Sequence, residues 1–232
     1  MKPFFYLLSF LVCTLFFASV YAQDLSAEQV LANVTKTSEA VVDASFLLTG
    51  KLIDPDGTEI PLEVDVQVIP GESVARADFF QPDALADNFV MVDDDAFYNY
   101  IFLTNQATVF STDDPDALGG IFPAAAEGES FDFTFDLNEL FSGWTSEVIG
   151  YDTLDVGEVY TIKLINLEAG VNIDYVEATV LDGAWLPYTM TFFNEAGDTI
   201  SELVFNDIVL DSGLSAADVA YLPDDAELID ER

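Results

Sequence analysis

The sequence predicts an α+β fold: a curled, unclosed antiparallel β half-barrel with an N-terminal helix and short lid helices over its concave face. Three observations lead there. Apolar and polar residues alternate at period two in segment after segment, the mark of strands with one wet face. One amphipathic segment near the start has helical period instead. Between two runs of strands, Asp113 to Trp144 combines Pro115, Gly119, Gly120 and Pro123 with bulky apolar side chains that need a surface to cover. A sheet of so many strands must curl, and helices on one side of it supply a cover.

In chain order, Lys2 and the apolar run from Phe4 to Phe17 precede Val20-Tyr21-Ala22, so residues 1–22 read as a signal peptide cleaved after Ala22. Cys13 sits within that run, after the bulky Val12, and reads as a passive residue of the discarded segment. Residues 23–232 then form one domain. Its first element is a helix capped by Ser26 and running to about Val42, with Leu25, Val30, Leu31, Val34 and Val41 close to one face. Ala44–Ile53 and Leu62–Val68 make a hairpin through Asp54-Pro55-Asp56-Gly57. Val74–Phe80, Asn88–Val92, Phe97–Phe102 and Ala107–Ser111 follow as strands. In the interruption, Asp116–Phe122 and Leu137–Phe141 are helix-like. Strands resume at Ser146–Tyr151, Val159–Leu167, Asn172–Leu181, Leu186–Phe193 and Thr199–Leu210, joined by short turns such as Asp182-Gly183 and Gly197-Asp198. Short connections predict a meander.

Composition narrows the function. All 43 acidic residues follow Ala22, against Lys36, Lys51, Arg76, Lys163 and Arg232, and the formal net charge of the chain is −37. Such a charge repels nucleic acid and anionic lipid surfaces. It reads as solubility or adaptation to salt on one side, and as attraction to basic partner surfaces on the other. The 13% aromatic content and positive mean hydropathy oppose disorder. After cleavage no His or Cys remains, so triads, Cys–His pairs and His-metal centres are excluded, as are disulfides. The chain reads as no enzyme and as needing no cofactor or metal. The carboxylates at Asp54, Asp56 and Glu59 are too closely spaced for a calcium loop, and Asp93-Asp94-Asp95 reads as a hairpin turn.

Phe80-Gln81-Pro82, followed by Asn88-Phe89-Val90-Met91-Val92-Asp93-Asp94-Asp95-Ala96-Phe97-Tyr98-Asn99-Tyr100, resembles the LolA family of periplasmic lipoprotein carriers. The leading helix into Ala44-Ser45-Phe46 and the Asp54–Gly57 turn agree. So does Leu214–Asp218 leading to the tail Ala220-Tyr221-Leu222-Pro223-Asp224-Asp225-Ala226-Glu227-Leu228, similar to the family's closing strand. The resemblance implies a monomeric periplasmic carrier that shelters lipoprotein acyl chains beneath a helical lid. It implies as partners an inner-membrane ABC-type release complex and an outer-membrane acceptor. A dry cavity suits that task, since each buried methylene is worth about 0.8 kcal/mol.

Carried onto this chain, the resemblance and the alternation place Phe46, Leu48, Leu62, Val64, Val66, Val68, Ala77 and Phe79 on the lining of the first strands. Phe89, Met91, Phe97 and Ile101 come next, then Tyr188, Met190, Phe192, Leu203 and Phe205, with Leu118, Ile121 and Phe122 from the lid. Each residue taken singly also fits ordinary core packing, and a register slip of one residue inverts a strand. The family's basic latch at the end of its second strand is missing: Val68-Ile69-Pro70-Gly71-Glu72-Ser73 holds no Lys or Arg before Arg76. The same half-barrel also suits an exported binder or transporter of free lipid or glycolipid, or a lipid-sensing regulatory module.

Overall fold

The computed structural model describes residues 25–93, 96–112, 135–168 and 172–232. The expected signal peptide, the Asp116–Phe122 helix and its Leu118, Ile121 and Phe122 lie outside the described residues.

The first element is helix α1 (Ala27–Ser38). The Ser26 hydroxyl accepts from the Gln29 N–H while the Gln29 side chain accepts from the Ser26 N–H, a capping box that satisfies two orphan donors. Ala27, Val30, Leu31 and Val34 are buried. The helix ends short of Val42, because Val41-Val42-Asp43 already leads into the sheet. There the Val42 N–H donates to the Asp211 carboxylate at 2.8 Å.

Strands β1 (Ala44–Ile53), β2 (Glu59–Ile69), β3 (Val74–Gln81), β4 (Phe89–Val92), β5 (Phe97–Ile101) and β6 (Gln106–Phe110) form one antiparallel meander. After the short helix α2 (Leu137–Leu140) come β7 (Thr145–Leu154), β8 (Gly157–Ile165), β9 (Tyr175–Leu181), β10 (Pro187–Phe193) and β11 (Thr199–Leu210), a second meander. Helix α3 (Ala216–Val219) and β12 (Glu227–Asp230) close the chain. Among the described residues these twelve strands make a single sheet, ordered β12-β6-β5-β4-β3-β2-β1-β11-β10-β9-β8-β7. Its edges, β12 and β7, do not pair, so it is a curled, unclosed half-barrel.

The order departs from the expected simple meander. β1 lies at the centre and pairs with both β2 and β11, so two meanders join through one long-range seam. β12 adds a further departure, pairing parallel with β6.

The seam brings backbones together closely. Gly50, at φ +157°, lies against Glu202 of β11, and a Cβ there would fall on the Glu202 carbonyl oxygen. At the other end of β1, Asp43 is 1% exposed. Its carboxylate accepts from the Ser212 N–H and hydroxyl at 2.8 and 2.7 Å and from the Gly213 N–H at 2.9 Å. Its own carbonyl accepts from the Asp211 N–H at 2.8 Å. Burial alone would raise the Asp43 pKa, but the Ser212 hydroxyl and the N–H groups of Gly213, Ser212 and Leu214 hold it below the usual 3.8.

The sheet has apolar clusters on both faces. The larger one includes α1. On the opposite, convex side, Phe89, Met91, Tyr100 and Ala107 lie beneath Ala220, Leu222 and Ala226 of the C-terminal segment. Arg76, 4% exposed, fastens that segment. Its Nε and Nη2 donate to Asp78 at 2.7 and 2.8 Å, its Nη1 donates to the Tyr221 carbonyl at 2.8 Å, and its guanidinium lies between the rings of Phe89 and Tyr221. The planar guanidinium suits both the bidentate pair and the stacking.

Three outcomes test these features. Gly50→Ala is expected to cost more than about 2 kcal/mol in denaturant unfolding, against about 1 kcal/mol for Gly57→Ala, whose Cβ meets open space; equal losses would contradict the close seam. Because the folded Asp43 pKa is depressed, its stabilisation is present above pH 3.8 and lost as pH falls through the lower folded value. Asp43→Asn should therefore melt earlier at neutral pH and lose less on acidification than the parent protein. In Arg76→Lys, the Glu227 and Glu231 amides, which bond to the Asn105 and Val109 carbonyls, should exchange with deuterium faster; unchanged protection would show that the segment is held without the guanidinium.

Candidate functional site

The face of the sheet that carries α1 is one continuous apolar surface. Its strands reach it through the period-two alternation: Phe46 and Leu48 on β1, Leu62, Val64, Val66 and Val68 on β2, Ala77 and Phe79 on β3, Phe97 on β5, Met190 and Phe192 on β10 and Phe205 on β11 all belong to a single buried cluster. Leu203 packs against it half-buried. These are expected lining positions, and the structure brings them together.

Others fall elsewhere. Phe89 and Met91 belong to the convex cluster, and it is Val90 of β4 that joins the inner one. Phe89-Val90-Met91-Val92 is apolar at every position, so alternation cannot choose its inward face; the C-terminal segment buries the outward pair. Ile101, at the end of β5, is 41% exposed and lies outside the inner cluster. Tyr188 is half-buried, at a shift in the β9–β10 register, and lies outside the cluster.

The inner face also contains residues that were not expected among its lining. Ile162 and Leu164 of β8 and Val176, Ala178 and Val180 of β9 are buried there, as are Val30, Leu31 and Val34 from the apolar face of α1. Their signal was present as alternation in strands already assigned, and as the apolar stripe of the helix. Tyr160 ends this side in an aromatic group, with ring centroids 4.6 Å from Tyr151 and 6.1 Å from Trp185. The Tyr151 hydroxyl donates to Asp182 at 2.9 Å, and this bond first, then burial, holds its pKa above the usual phenol value.

Residues 135–144 lie over part of the inner face. Asp136 caps α2 by accepting from the Asn138 N–H at 2.9 Å, and the Thr35 hydroxyl of α1 donates to the same carboxylate at 2.8 Å. Ring contacts add to this: Phe135 is 4.8 Å from Phe46, Phe46 is 5.5 Å from Phe205, and Phe141 is 6.5 Å from Phe192 and 5.0 Å from Trp144. Leu137 is fully buried, whereas Phe141 and Trp144 are half-buried. Chemically this is a surface for apolar matter.

Among the described residues no three carboxylates gather as metal ligands. Asp56 accepts from the Thr58 N–H and Asp93 from the Ala96 N–H, each within a turn. An open groove of about 560 Å³, lined by Asn172, Asn194, Glu195 and Ala196, shares no residue with the apolar face. No helix among the described residues is long and apolar enough to cross a membrane.

No family model matches the chain, and no curated protein sequence matches it. Among solved structures, an uncharacterized conserved protein from Thermus thermophilus is similar, with a TM-score of 0.63 at 17% identity over 88% of this chain and 98% of that one. A chain of the MucA/MucB complex of Pseudomonas aeruginosa has a TM-score of 0.50 at 11% identity, over 83% of this chain and 60% of that one. A LolA superfamily protein from Nitrosomonas europaea aligns over 85% of this chain and 98% of that one at 12% identity, with a TM-score of 0.42. At these identities likeness speaks to fold alone: the chain shares the fold of the Thermus thermophilus protein, and that fold is an unclosed half-barrel with one apolar face turned toward its helices.

Proposed function

We propose that this protein is an exported carrier whose half-barrel shelters the acyl chains of a lipoprotein, moving them through the periplasm from an inner-membrane release complex to an outer-membrane acceptor. The observation that carries this reading is the continuous inner apolar face beneath a cover held by ring contacts and the Thr35–Asp136 hydrogen bond.

The energetics favour exchange of cover for cargo. Moving Phe135, Leu137 and the half-buried Phe141 and Trp144 away from the sheet costs roughly 5–9 kcal/mol of apolar burial. One acyl chain of about sixteen carbons gains roughly 12 kcal/mol on leaving water. A chain that takes the place of the rings is therefore held, while the rings remain available to close the face after its release. The lipid-facing residues of this reading are Phe46, Leu48, Met190, Phe192, Leu203 and Phe205 of the inner cluster, of which Phe46 and Phe192 meet the rings of the cover. Residues 1–22 serve in it as the export signal.

Native mass spectrometry of the protein from its own envelope, with lipid extraction, tests the cargo. Bound lipoprotein supports the carrier, whereas free lipid or glycolipid shows a lipid binder or transporter on the same face. Neither, together with no uptake of a fluorescent fatty acid, overturns both. Phe141→Ser and Trp144→Ser, which leave less burial to give up when the cover moves aside, are expected to strengthen uptake of that probe, by up to about tenfold, with at most a modest fall in unfolding midpoint; a large loss of stability with unchanged affinity would make them core residues.

A further inference from the structure

The hairpin between β5 and β6 presents Ile101, Phe102 and Leu103 to solvent, at 41%, 58% and 91% exposure. Three consecutive bulky apolar residues at a turn do nothing for the fold, yet the turn beneath them is braced from both sides. The Phe102 N–H donates to the Asn88 side chain at 2.9 Å, and the Asn105 N–H returns to the Phe102 carbonyl at 3.1 Å. Asn105, in the left-handed region at φ +52°, accepts from the Tyr100 hydroxyl at 2.9 Å and donates to the Asp225 carbonyl at 2.9 Å. Its own carbonyl accepts from the Glu227 N–H at 2.9 Å. The backbone that carries the apolar tip is thus pre-organised, which lowers the ordering cost of binding.

The surroundings of the tip are acidic. Asp87 adjoins Asn88, and Asp224, Asp225 and Glu227 lie in the segment that braces Asn105. No Lys or Arg occurs between Arg76 and Lys163, or between Lys163 and Arg232. An apolar tip within an acidic collar, on a chain of net charge −37, has a definite complement. We infer that the β5–β6 hairpin is a docking tip for a partner protein whose surface offers an apolar pocket ringed by Lys and Arg. Phe102 and Leu103 fill the pocket and the collar pairs with its rim, so burial supplies affinity while charge supplies steering and partner choice. A phosphate-bearing bilayer surface would meet the same collar with repulsion. The inference stands apart from the lipid reading, since the tip lies outside the inner face.

A photoreactive benzophenone amino acid in place of Leu103, in the full chain in its own envelope, tests it, with Leu154 of β7, 43% exposed, as the control position. The expected result is an adduct with one protein from Leu103 and none from Leu154. The adducted protein, once purified, should bind the unmodified chain, with Leu103→Ser and Phe102→Ser each weakening binding about tenfold. Raising salt from about 0.05 to about 0.5 M should weaken it about tenfold again. Adducts with lipid alone would assign the tip to a bilayer and overturn the inference. So would the absence of any adduct, or binding indifferent to both serine variants or to salt. The unfolding midpoint of Leu103→Ser, at so exposed a site, is expected to match the parent protein and serves as the folding control.

Discussion

The pairing of β1 with β11 is the contact on which the other elements depend. It joins strands separated by most of the chain, and without it the molecule is two independent meanders, each with an unsatisfied edge. The seam is possible because Gly50 has no Cβ to meet the Glu202 carbonyl. It is anchored because Asp43 collects the donors of Ser212 and Gly213 just beyond the end of β11. The same anchor directs the chain toward α3 and the convex side, so one buried carboxylate sets both the centre of the sheet and the start of its C-terminal covering.

The two faces are held in physically different ways. On the convex side Arg76 combines a bidentate ion pair, a hydrogen bond to a backbone carbonyl and two aromatic faces. These are directional contacts, and they make the C-terminal segment a fixed part of the structure. On the inner side residues 135–144 rest on ring contacts 4.8–6.5 Å between centroids, on the buried Leu137 and on the Thr35–Asp136 hydrogen bond. Most of that attachment is apolar burial, which another apolar body of similar area can supply. The back of the sheet is thus tied by directional charged contacts and the front chiefly by apolar burial.

Much of this was legible along the chain. Glu63, Asp65 and Gln67 alternate with Leu62, Val64, Val66 and Val68, and that alternation alone assigns β2 and its inward face. Ser26 and Gln29 mark the start of α1. Legibility failed where both faces of a strand are covered. Phe89 and Met91 look as inward as Val90, and their true side depends on Ala220, Leu222 and Ala226, more than a hundred residues away. It failed also at strand ends, where Ile101 keeps the alternation but outruns the sheet.

By itself, then, the sequence determined which segments are strands, where the helix begins, that the strands have one apolar side, and that His and Cys chemistry is absent after residue 22. These are local properties, set by periods of two and 3.6 residues and by residue identity. Tertiary structure alone decided that β1 rather than an edge strand meets β11, that β12 runs parallel to β6, that Arg76 serves the back of the sheet, and that Leu103 stands bare on a braced turn. The reason is common to all four: pairing, burial and exposure depend on partners distant along the chain, and no local period records which partner arrives.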